Sequence, residues 1–346
     1  MMIVLLSLVH ISSAAEIPLS SSGHATNPVW STDGKRLAYE INDYAGQIDL
    51  FTIAMDGESP QGSANIVKLN IATSSFGGPT GVVAGDPIWH PQQKGMLFFE
   101  ASYTGSKTRI YMTRLSSPPR QLIAEGTVGG DLSWGTLTPD GNSLLFTSDI
   151  SGGGDIFKFE IRGQQVVQLT SSEDSEMAPQ MHEDGRLTYS HKNSGGEDIY
   201  ILTGNNSQLI AGGDGDQTRP VWVQDEVVYF SNEQGGETWD IRKVNSSGQM
   251  KKIAAEIRLP FRSSPSISPD KKWVAYGSVN PEKSDKIWFS KVDGSKTVFY
   301  ETGLVACGEP SLIESDGRIL LAFTALPAEG SDWRKLHVRD VTDKLR

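Results

Sequence analysis

Cysteine is almost absent from this chain. Cys307 stands alone among 346 residues, so no intrachain disulfide can form and a large buried core must hold the fold together. A single Cys within an apolar segment reads as a small core residue rather than a nucleophile. Long apolar runs are also scarce, and the one at residues 1–15 is too short to cross a bilayer. Positive charge is in deficit: 31 Lys and Arg face 42 Asp and Glu, a net charge of −11. That balance argues against nucleic acid or an anionic membrane surface as a partner. The chain has no Gly-x-Ser-x-Gly elbow, no His-Glu-x-x-His pair and no phosphate-binding loop. The segment Gly213-Asp214-Gly215-Asp216 lacks the spacing of a calcium loop. Neither a catalytic residue, a metal site nor a cofactor is assigned from the sequence.

The apolar stretch ends in Ser12-Ser13-Ala14-Ala15, where Ser13 and Ala15 satisfy the small-x-small rule for signal-peptidase cleavage before Glu16. No Lys or Arg precedes the apolar residues, so the usual positive leader is missing. The expectation is a signal peptide over 1–15 and a single domain over 16–346, exported to the periplasm or secreted and without stable membrane insertion.

What the chain has in abundance is a repeat. Asn27-Pro28-Val29-Trp30-Ser31-Thr32-Asp33-Gly34 returns in weakened form at Pro87, Gly135, Pro179, Pro220, Pro265 and Pro310, at intervals of 59, 48, 44, 41, 45 and 45 residues. A WD-type period in the forties matches one four-stranded propeller blade. Within each copy, apolar alternation of period two switches at turns rich in glycine, as in successive antiparallel strands. With 36 Gly and 17 Pro the chain is turn-rich throughout. The apolar residue two places after each proline (Trp30, Trp89, Leu137, Met181, Trp222, Ile267 and Leu312) is expected to pack between blades.

The fold class is therefore all-β, a propeller of four-stranded antiparallel blades. Seven blades are preferred over six, the alternative being left open by the irregular 59-residue first interval. The last copy has only three strands of its own. Residues 16–22 resemble 166–172, the outer strand and exit turn of the third copy, so an N-terminal strand is expected to close the last blade.

The pattern Pro-x-Trp-Ser-x-Asp-Gly, an apolar strand, then Gly-Gly-x-Asp-Ile-Tyr resembles the TolB-type propeller repeat over 27–341. TolB proper resembles a propeller preceded by an α/β domain, whereas only about ten residues separate Glu16 from the first repeat here. The resemblance implies a binding scaffold that presents one face to an envelope protein, in the manner of a partner for outer-membrane lipoproteins. Oligogalacturonate lyases resemble a stand-alone propeller, so a polysaccharide lyase or carbohydrate-binding propeller is the competing reading. A prolyl-oligopeptidase relative would need a hydrolase domain besides the repeats.

In a blade, the turn between second and third strands and the entry to the inner strand share one face of the ring. Segments 129–131, 151–155, 171–176, 194–198, 212–216 and 234–237 make that face acidic. Such a rim suits a basic segment of a protein partner. Asp86, Asp131, Glu176 and Asp216, with Arg219 and Glu309 at similar register, are the candidate partner-binding residues, and the protein is expected to be a monomer.

Overall fold

The computed structural model describes residues 15–16, 23–43, 46–68, 81–233, 235 and 238–346. The signal-peptide segment 1–14, the expected pairing of 17–20 and most of the loop 234–237 lie outside the described residues. Among the described residues strand dominates, with one short helix, Thr342–Leu345. Five four-stranded sheets and one eight-stranded sheet account for the strands, and the larger sheet divides into two four-stranded halves joined through a single parallel pair, Ile48↔Val83. This is the all-β propeller architecture expected from the repeat.

The first copy shows how the sequence writes a blade. His24–Trp30 is the inner strand, followed by Arg36–Asn42, Ile48–Asp56 and the outer Ser59–Ile66. Between the first two, Asp33 accepts from the Ser31 hydroxyl at 2.7 Å and the Lys35 N–H at 3.1 Å, and Gly34 takes φ 65°, a conformation that glycine adopts without strain. Thr138-x-Asp140 and Ser268-x-Asp270 build the same turn. The second strand carries a buried aromatic at the same register in every copy: Tyr39, Phe99, Phe146, Tyr189, Phe230, Tyr276 and Phe323, none more than 9% exposed. In the first four copies that ring stacks on an aromatic of the third strand at 5.7–5.9 Å (Tyr39 on Phe51, Phe99 on Tyr111, Phe146 on Phe157, Tyr189 on Tyr200).

The expected inter-blade residues pack as the repeat requires. Trp30, Trp89 and Leu312 are buried, and Leu137, Met181, Trp222 and Ile267 are partly buried against core clusters. Two of the tryptophans also bond to the preceding copy. The indole of Trp89 donates to the Val29 carbonyl and that of Trp222 to the Gln180 carbonyl, each at 3.0 Å. Cys307 is fully buried, as expected of a core residue.

Both ends of the chain meet in the last sheet. Val305–Ser315, Arg318–Leu326 and Lys335–Asp340 are its three C-terminal strands, and Ala15–Glu16 adds the fourth, antiparallel, with Ala15 opposite Val338 and Glu16 opposite His337. Deleting residues 16–22 is expected to expose the edge of Lys335–Asp340 and lower the melting temperature by several degrees. A melting curve that does not move would contradict a closing role for this strand.

Candidate functional site

The inner strands carry a defect that recurs. In six copies the residue just before the proline, or before Gly135, has positive φ: Asn27 (47°), Asp86 (51°), Trp134 (56°), Ala178 (52°), Arg219 (55°) and Glu309 (52°). Pairing with the second strand slips at each of these points, between Thr26 and Val29 in the first copy and at the matching places in the others. A bulge inserts an extra residue and re-aims its side chain. Left-handed backbone is strained for a residue that is not glycine, and more so before proline, so six repetitions point to a position with a task.

The task is visible at 258–265, the segment joining the fifth and sixth copies. It crosses the mouth of the channel as a strap, and bulge residues from five copies grip it. Arg219 donates to the carbonyls of Pro260 (2.7 Å), Phe261 (3.2 Å) and Ser263 (3.4 Å). Glu309 accepts from the Phe261 N–H at 2.8 Å, and Asn27 accepts from the Ser263 hydroxyl at 2.6 Å. Arg262, on the strap, pairs with Asp86 at 2.5 Å and with Glu100 at 3.1 Å. Its guanidinium lies 5.1 Å from the centre of the Trp134 ring, and that of Arg219 lies 5.8 Å from it. Beneath the strap is a cavity of about 280 Å³ lined by Asn27, Asp86, Glu100, Trp134, Ala178 and Arg262 among others.

Two further carboxyls come from the second strands. The residue after the buried aromatic is Thr147, Ser190, Ser231, Gly277 or Thr324 in five copies, but Glu40 and Glu100 in the first two. In the fourth copy the Ser190 hydroxyl accepts from the Arg219 backbone N–H of the next copy at 3.0 Å. Glu40 and Glu100 reach across in the same way, to the N–H of Asp86 at 2.7 Å and of Gly135 at 2.9 Å. Glu40 also accepts from the Asn27 side-chain amide at 2.7 Å. Gly85 makes room for it, since a Cβ there would lie 2.9 Å from the Glu40 carboxyl.

Burial and then the neighbouring Asp86 carboxylate push Glu40 and Glu100 up to about 8. Burial raises Asp86 and Glu309 as well, against the pull of the facing arginines. Glu40 and Glu100 thus hold protons near neutrality, beside the Asp86–Arg262 pair.

Of the candidates read from the sequence, the structure brings Asp86, Arg219 and Glu309 together here. Asp131 and Asp216 instead stitch adjacent copies. Each accepts from a backbone N–H of the preceding copy, Thr108 at 2.5 Å and Glu197 at 3.0 Å, and its own N–H donates to Asp149 or Asn232. Glu176 is buried and bonded to Ser172, Thr170 and His191. Asn27, Trp134, Glu40, Glu100 and the strap were not singled out by sequence reasoning. The available signal was a comparison of copies: the residue before the proline varies while its neighbours recur, and Glu follows the second-strand aromatic only twice.

A carboxyl whose folded-state pKa lies above its unfolded value stabilises the fold fully below that value and loses the contribution as pH rises through the raised one. For Glu40 and Glu100 the window runs from 4.5 to about 8. Replacing both with glutamine keeps the acceptors and should flatten the decline of melting temperature across that window, measured against the wild type. Arg262→Ala leaves Asp86 without its ion pair and should cost about 3 kcal/mol in denaturant unfolding at neutral pH.

The family model described as the TolB beta propeller domain matches residues 60–258, more than half of the chain. Among solved structures, TolB from Acinetobacter baumannii aligns at 21% identity and a TM-score of 0.51, covering 68% of this chain and 55% of that protein's length. An oligogalacturonate lyase from Vibrio parahaemolyticus aligns at 10% identity and a TM-score of 0.60, covering 97% and 93%. A Mycobacterium tuberculosis puromycin-hydrolyzing peptidase aligns at 13% and 0.63, covering 90% of this chain and 52% of its own. At such identities these structures share the fold, and the matching family model assigns the family: this chain belongs to the TolB β-propeller domain family.

Proposed function

We propose that this protein is an exported, non-enzymatic binding scaffold whose strapped face docks a protein partner in the cell envelope. One observation carries the reading. Besides acidic turns, that face displays Phe261 of the strap at 49% exposure, with Val83 at 36% lining the same small cavity, and Ile150, Val279 and Tyr103 are exposed at or beside turns between second and third strands. Apolar side chains ringed by charge mark interaction surfaces more often than bare solvent contact. Phe261 sits at the centre on a segment held by five copies, so its position is fixed before a partner arrives, which lowers the ordering cost of association.

Acidic turns beside these side chains fit a basic segment carrying apolar anchors, of an envelope protein or lipoprotein. Seven blades closed by the N-terminal strand, a monomeric state and a leader over 1–15 complete the reading. Support for the blade count comes from the seven four-stranded units and their spacing. Among the described residues no helix is long and apolar enough to cross a membrane.

Crosslinking in the envelope followed by mass spectrometry should capture a partner through Phe261 and its neighbours. Phe261→Ser is expected to weaken that capture about tenfold or more, as for a central aromatic anchor, without changing the melting curve. Lyase activity is the rival, and an unsaturated product from a uronic-acid polymer, seen by absorbance and dependent on added metal, would overturn the scaffold reading.

A further inference from the structure

On the opposite side of the ring, a cleft of about 1020 Å³ opens between the first and second copies. One wall is the first blade, through Arg36, Thr52, Asn65, Ile66 and Lys68; the other is the turn region of the second, through Lys94, Arg114 and the run 115–119. It continues at Arg114, Ser117 and Pro118 into a second lobe of about 430 Å³ that adds Arg120 and Arg162. Among the described residues six cations line the two lobes and no carboxylate does, although acids outnumber bases by 42 to 31 in the chain. Lys94 is 81% exposed and reaches Asp33 only at 3.8 Å, and Arg114 donates to the neutral Gln93 at 3.0 Å. These charges are therefore available to an outside ligand.

We propose that this cleft binds an extended acidic peptide segment carrying aliphatic side chains, independently of any partner on the strapped face. Charge complementarity selects the sign of the ligand, because a cationic trough on an acidic protein concentrates negative segments and repels basic ones. The rest of the lining selects peptide over an acidic glycan. Among the described residues both lobes lack Trp, Tyr and Phe, the flat faces on which sugar rings stack, and offer Ile66, Val67, Leu115, Met96, Met112 and Ile161 instead. Methionine and branched aliphatics adapt to aliphatic side chains of varied shape. The combined length, from the outer strand of the first blade to Arg162 of the third, calls for a ligand that lies extended across three copies.

Fluorescence anisotropy with a labelled peptide of alternating glutamate and leucine tests this on the full-length protein. Saturable binding is expected at low salt, with affinity falling at least about tenfold when salt shortens the screening length to a few ångströms. Lys94→Glu with Arg114→Glu should lower affinity by a similar factor. Both side chains are exposed, so the melting curve should stay in place; Lys68→Ala gives a milder version of the same loss. Phe261→Ser should leave peptide binding unchanged, which separates this site from the strapped face. Absence of binding, equal binding by the charge-reversed variant, or equal affinity for an alternating lysine–leucine peptide would overturn the proposal. So would tighter binding of an oligogalacturonate probe that the charge reversal abolishes, which would make the cleft a glycan site.

Discussion

The left-handed residue at the start of the inner strand in six copies is the constraint on which the central architecture depends. A regular strand would leave its neighbours' side chains alternating between the two faces of the blade, and nothing would point along the channel. Inserting one residue per copy turns a side chain inward without disturbing the apolar residue two places after the proline. Some of the strain is offset by ties from outside: at Asp86 and Arg219 a carboxyl or hydroxyl from the preceding copy's second strand takes the bulge N–H, and Glu100 takes that of Gly135, next to Trp134. In this way the pairing of adjacent blades and the chemistry of the channel mouth share the same hydrogen bonds. Glu309 shows the economy of the scheme, accepting from the Phe261 N–H of the strap and the Asn27 N–H of the first copy.

Fold was legible in the sequence because blades are built by residues that must recur. Trp30, Trp89 and Trp222 fill the same gap, and the Asp33-Gly34 turn has counterparts through the chain. Periodicity reports such positions directly. The site was legible in part, and for a different reason. Asp86, Arg219 and Glu309 stood out as charges at a shared register, and their meeting follows from ring geometry. Asp131 and Asp216 have the same acidic, near-turn character, yet backbone N–H groups of the preceding copy claim their carboxylates. Charge in a turn does not reveal whether its partner is another protein or the neighbouring blade.

The strap was hidden for a third reason. Residues 258–265 break the repeat, and a connection carries no periodic signal. Its role arises from contacts made 162 and 236 residues away in sequence, between Arg262 and Glu100 and between Ser263 and Asn27. Trp134 stands apart from Trp30, Trp89 and Trp222, which pack at the neighbouring repeat position. Its slot lies before the Gly135 that replaces proline, and there the ring faces two guanidinium groups rather than a hydrophobic gap.

The last sheet joins the earliest residues of the domain to some of the latest: Glu16 finds its place only against His337. Some 320 residues separate these partners, so Glu16 has nothing to pair with until residues 335–340 have been made. Assembly order is thereby written into topology. Until then the earlier strands must form without that pairing, and Lys335–Asp340 brings the last contact of this sheet with it.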